Sequence, residues 1–138
     1  MTTPPRTDLS WLLEELVSGL PDAESAVLLS TDGLLMGRSA GLDQTEAERF
    51  AAMASAFHSL ARSAGSHFKA GGVCQTVVEL DRAVLFITAA GANACLALLA
   101  TESANMGMVA FEMNRTVQRV GSHLAVDSRP HANGAPQP

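Results

Sequence analysis

Tyrosine is absent from this 138-residue chain, lysine occurs once at Lys69, tryptophan once and cysteine twice. A single lysine leaves no polybasic patch for an anionic membrane. Nine Lys and Arg stand against fourteen Asp and Glu, a net charge of −5, and aromatics make up only 4%. A nucleic-acid binder needs phosphate-neutralising cations and stacking surface, and both are short here. No apolar h-region follows Met1-Thr2-Thr3-Pro4, so the N-terminus does not read as a secretory signal. Cys74 and Cys95 lie in apolar runs without CxxC spacing. They read as small buried hydrophobes in a reducing cytosol, which makes a cytoplasmic location the expectation.

Hydrophobic residues amount to 47%, carried by alanine and small aliphatics. The length suits one domain that folds without disulfide or metal. The uncharged run Ala83–Thr101 approaches the length of a membrane span. Ala90-Gly91-Ala92-Asn93 in its middle is turn chemistry, so two strands and a hairpin are expected, with no membrane insertion.

The remaining periodicity predicts a helix from an N-cap at Asp8 to Leu20, then strands at Ser25–Ser30 and Leu34–Ser39 around Thr31-Asp32-Gly33. Asp43-x-x-Glu46 is a capping-box variant opening a long helix to Phe68, which Gly71-Gly72 ends. Strands follow at Val73–Leu80, Ala83–Ala89 and Ala94–Ala100, then a helix from Ala104 to Ala125. The order α-β-β-α-β-β-β-α with short hairpins predicts an α+β fold on an antiparallel sheet. Residues 1–7 are expected to be flexible, 8–126 to form the domain, and the Pro/Gly/Asn-rich 127–138 to be a disordered tail.

The long helix carries more apolar surface than one sheet needs. At ~100° per residue, one stripe holds Ala47, Phe50, Ala51, Ala54, His58, Ala61, Gly65 and Phe68. A second holds Met53, Ala56, Leu60 and Ala64, with Phe57 between the two. Roughly 26 residues make a helix of ~39 Å, whereas five strands span only about 19–24 Å. The strand at Val73–Leu80, with Gln75, Thr76 and Glu79, reads as an edge, and the two after it as central. A two-fold dimer follows, held by Met53, Ala56, Phe57, Leu60, Ala64 and the edge at Val77. In the monomeric alternative, the first or last helix covers the second stripe. The polar strip Glu48, Ser55, Ser59, Arg62 and Ser66 is the candidate surface for another partner.

Catalytic patterns are weak. Gly37-Arg38-Ser39-Ala40-Gly41 matches G-x-S-x-G, with Asp81 and His123 following in hydrolase order. The elbow would have to feed straight into a helix after several parallel strands, which this order does not provide. A hydrolase using Ser39 therefore ranks below an interaction module and below a ligand-sensing α+β domain. His58, His67, His123 and His131 form no ligand cluster, and His58 on the apolar stripe reads as a hydrogen-bonded core residue. Gly71-Gly72 lacks a following Lys-Ser/Thr. No catalytic, metal or cofactor site is predicted. Residues 1–48 carry nine acidic and two basic side chains, the remainder five and seven. Such an imbalance can orient a protein partner, although solvated scatter is the commoner outcome.

These features resemble the roadblock/dynein-light-chain family, in its actinobacterial branch. The likeness lies in the element order, the phrase VLLSTDGLL at 27–35, the helix AERFAAMASAFHSLA at 47–61 and the NMGMV segment at 105–109. The resemblance implies a roadblock/profilin-like fold: a five-stranded antiparallel sheet, the long helix on one face and both terminal helices on the other. It implies homodimers through the long helices and the third strand, and no catalytic residue of the chain's own. It further implies a bacterial signalling role as regulator or scaffold of a small Ras-like GTPase, in systems that also contain a sensor histidine kinase.

Overall fold

The computed structural model describes residues 9–127. The expectations for residues 1–7, for an N-cap at Asp8 and for the tail past Asp127 lie outside them. The elements are α1 (Ser10–Gly19), β1 (Ala23–Ser30), β2 (Leu35–Arg38), α2 (Gln44–His67), β3 (Thr76–Glu79), β4 (Ala83–Ala89), β5 (Ala94–Thr101) and α3 (Met106–Asp127). All five strands form one antiparallel sheet in the order β2-β1-β5-β4-β3. The uncharged run at 83–101 is the β4–β5 hairpin, and no described helix is long and apolar enough to cross a membrane.

Strand alternation builds two cores. Leu28, Phe86, Leu96 and Leu98 point to one face, where Leu12, Leu13 and Leu16 of α1 and Val109, Met113 and Val120 of α3 cover them. Val27, Leu29, Ile87, Cys95 and Ala97 point to the other, beneath Ala47, Phe50, Ala51 and Ala54 of α2. β5 lies at the centre of the sheet, so its nearly all-apolar sequence is covered on both sides, as is β1. Alanines on α2 keep the helix close to the strands, which is where the small side chains of the composition are used.

Local chemistry sets the helix ends. The Asp43 carboxylate accepts from the Glu46 N–H at 2.8 Å and starts α2. Asn105 Oδ1 accepts from the Met108 N–H at 3.0 Å, so α3 begins at Met106 rather than Ala104. The end of α2 differs from expectation. Lys69, with φ +53°, takes the left-handed position, and Ala70 N–H and Lys69 N–H donate to the carbonyls of Gly65 and Ser66 at 2.8 and 3.1 Å. That is a Schellman closure, complete before Gly71-Gly72. Gly65 permits it, because a Cβ there would collide with the Gly71 carbonyl oxygen.

β3 is shorter than its apolar run. Residues 68–75 are used to return from α2, and the Cys74 carbonyl accepts from Thr88 Oγ1 at 3.2 Å. Cys74 itself is exposed, against the expectation of burial; only Cys95 is buried.

Candidate functional site

Two surfaces meet at the β3 side of the molecule: the outward stripe of α2 and the free edge of β3. No residue of α2 beyond His58 is buried, although the helix continues to His67. Ser55 Oγ donates at 3.1 Å to the carbonyl of Thr31, which already lies past the end of β1. The last third of α2 therefore overhangs the sheet, as its length predicts.

The second stripe has no cover among the described residues. Met53 is 56% exposed, Phe57 37% and Leu60 70%, and Ala56 and Ala64 are exposed beside them. α1 and α3 pack on the opposite face of the sheet, so the monomeric alternative, in which one of them covers this stripe, does not hold. An open groove of about 360 Å³ runs between α2 and the sheet, lined by Leu42, Phe50, Met53, Phe57, Leu80 and Leu85. Val77 is 38% exposed on β3, but it pairs with Phe86, so its side chain lies on the α1/α3 face and only its backbone borders this patch. Two further exposed residues, Phe68 at 72% and Leu80 at 56%, extend the patch. Phe68 falls on the inner stripe by period alone, but at the C-cap it lies past the last buried turn. Leu80 was legible as the apolar residue just before the Asp81-Arg82 turn.

Among the described residues, the edge itself is open. Leu80 N–H donates to the Ala83 carbonyl at 2.8 Å. In an antiparallel ladder this turns the backbone groups of residues 78 and 76 toward β4 and those of Val77 and Glu79 outward.

The polar strip is less uniform than its spacing suggests. Ser55 is half-buried and held by the β1–β2 turn, whereas Glu48, Ser59, Arg62 and Ser66 are exposed. Glu48 accepts from Gln44 Nε2 at 2.8 Å. Charge along α2 is graded, with Asp43, Glu46 and Glu48 near its start and Arg62, His67 and Lys69 at its end; Arg49 is the exception.

The hydrolase pattern dissolves in three dimensions. Ser39 is 1% exposed and its hydroxyl accepts from the Ala26 N–H at 3.0 Å. It satisfies a buried backbone donor. Asp81 lies in the β3–β4 turn at the far side of the sheet from β2. His123 sits on α3 with its ring edge against Trp11, centroids 5.4 Å apart. The groove carries two polar side chains, Ser25 and Glu46, too few to orient a small ligand. Among the described residues no group of three or more His, Cys, Asp or Glu is placed to hold a metal ion.

These features define a class, a three-layer α+β domain whose exposed helix stripe is continuous with a free sheet edge. The Roadblock/LC7 domain profile matches residues 9–100, and the chain belongs to the Roadblock/LC7 family. A Roadblock/LC7 domain from Streptomyces avermitilis is 46% identical over 85% of this chain and 98% of its own, with a TM-score of 0.82. A second from the same organism is 36% identical over 80% and 96%, with a TM-score of 0.67. The likeness is thus to the actinobacterial branch. MglB of Myxococcus xanthus, at 12% identity over 91% and 94% and a TM-score of 0.78, shares the fold. Profilins share the arrangement as well. No curated protein matches the sequence.

Proposed function

We propose that this chain is a non-catalytic, cytoplasmic homodimeric regulator or scaffold of a small Ras-like GTPase in a bacterial signalling system that includes a sensor histidine kinase. The observation that carries the dimer is the continuity of three unpartnered features: the Met53/Phe57/Leu60 stripe, the groove beside it and the outward backbone groups of Val77 and Glu79. A second copy related by a two-fold axis satisfies all three at once. β3 pairs with β3 of the partner, and the α2 helices lie antiparallel. The charge gradient supports that orientation, since it sets the acidic start of one α2 beside the basic end of the other. Helix pairing covers Met53, Phe57 and Leu60, exposed apolar residues that a monomer would leave in water.

The exposed remainder of α2, namely Glu48, Ser59, Arg62 and Ser66, then forms one surface across the two copies. We assign the GTPase to it. Membership of the Roadblock/LC7 family supports the GTPase, and the role we assign to this chain is to hold or reorganise that partner. Co-purification of the dimer with candidate GTPases loaded with GDP or a GTP analogue, followed by single-turnover GTP hydrolysis, tests this reading. Nucleotide-dependent retention with Arg62→Glu weakening it is the expected result. Retention of no GTPase in either nucleotide state would overturn it.

A further inference from the structure

Two polar side-chain atoms on the α2 side of the sheet are buried without a hydrogen-bond partner: His58 Nδ1 and Thr76 Oγ1. Their position gives them meaning. His58 is 5% exposed and is the last buried residue of α2, where the helix leaves the sheet. Thr76 opens β3 and pairs with Ile87, so its side chain turns to the same face. One helical turn past His58 stands Arg62, whose charge reaches both His58 and the thiol of Cys95 on β5. Unpaired buried polar groups are uncommon, and each adds a desolvation cost that the rest of the fold absorbs. These lie where α2 and β3, the two elements of the proposed dimer surface, join the sheet.

We propose that His58 acts as an acid-sensitive latch: neutral, it lets α2 seat on the sheet and the dimer form; protonated, it lifts α2 and weakens the dimer. This rests on the dimer reading given above. The charge that bears on an imidazolium at this position is the guanidinium of Arg62 on its own helix; the polar atoms that β5 and β3 place on the same face of the sheet include the Cys95 thiol and the Thr76 hydroxyl. The residues that β1, β2 and β4 contribute to this core, Val27, Leu29, Leu35, Leu85 and Ile87, are apolar. The β3 carboxylate Glu79 pairs with Val84 of the other core and so lies on the opposite side of the sheet.

Burial, and secondarily Arg62, hold His58 below its ordinary 6.5. The direction of the linkage follows. The unfolded or lifted state binds the proton more readily, so the stabilisation is complete above pH 6.5 and is lost as pH falls toward the depressed folded value. Because a lifted α2 no longer holds its outward stripe in place for a partner, dimerisation and proton release favour each other, and the coupling is reciprocal.

Sedimentation of the wild-type protein and His58→Gln at pH 7.5 and 5.5 tests the latch. The wild-type dissociation constant is expected to rise about tenfold in acid, and that of His58→Gln by less than about twofold. If His58→Gln fails to fold, Arg62→Gln is read instead. It removes one of the two contributions against protonation, so its acid response must be smaller than that of the wild type. A wild-type dimer equally tight at both pH values overturns the latch and leaves the dimer standing. An acid response of wild-type size in whichever variant is read also overturns it. A monomer at pH 7.5 overturns the dimer reading and the latch together.

Discussion

The two edges of the sheet are finished differently. At the β2 edge, α1 seals the outward backbone: Arg38 N–H donates to Ser10 Oγ at 3.2 Å, and Ala40 N–H to the Glu14 carboxylate. Arg38 Nη1 closes the exit of the strand on the Leu42 carbonyl at 3.0 Å. At the β3 edge nothing of the kind is found among the described residues. Val77 and Glu79 present their groups outward, flanked by exposed Leu80 and by the apolar stripe of α2. Sheet edges are templates for pairing, and proteins blunt those that must stay single. One edge here is blunted and the other is left open beside a groove. In the proposed dimer, the open edge is the side offered to a second copy.

Leu60→Asp should break the comparison most sharply. It places a charge in each copy's helix contact, and the dissociation constant is expected to rise at least about thirtyfold, read by sedimentation at micromolar concentration. An unchanged dimer would remove α2 from the interface. Next in size is Val77→Pro, which deletes an outward N–H without touching the β4 ladder. About a tenfold weaker dimer is expected, equivalent to ~1.4 kcal/mol, with the melting temperature of the monomer nearly kept.

The sealed edge should respond in the opposite manner. Ser10→Ala leaves the Arg38 N–H without its acceptor and should cost about 1 kcal/mol of fold stability by denaturant titration, with dimer affinity unchanged. If the affinity moved instead, the β2 edge would be part of the interface. The smallest effect belongs to neither edge. Glu15→Gln removes the surface pair with Arg119, 2.7 Å apart and about half exposed on each side. A change below about 0.5 kcal/mol is expected in both assays.

Much of this was legible along the chain. The 3.6-residue period placed α1, α2 and α3, and Asp43-x-x-Glu46 placed the start of α2 to the residue. The double stripe on α2 showed in the wheel because an apolar face reads the same whether its partner is the sheet or another chain. The edge character of β3 showed in Thr76 and Glu79. Other features were hidden because they depend on what lies opposite. Ser39 belonged to a hydrolase-like pentapeptide until its hydroxyl was found on the Ala26 N–H, across the β1–β2 pairing. Cys74 sits in an apolar run, yet its neighbours are return-loop residues, and it is exposed. Lys69 ends α2 although two glycines stood ready from two residues on, because Gly65 lets the returning chain cross close behind it. His58 showed its burial in the period, but its missing hydrogen-bond partner did not show.

Composition and periodicity by themselves determined the elements, their order and the surplus apolar face of α2, since these are properties of neighbours within a few residues. Tertiary structure decided the strand order and which sheet edge is closed. Ser10 and Glu14 reach Arg38 and Ala40 across 28 and 26 residues, and no local pattern marks them as caps for a distant strand. A serine and a glutamate on an exposed helix look alike whether they face water or a backbone N–H. Only the packing of α1 against β2 makes them the seal that leaves β3 as the open side.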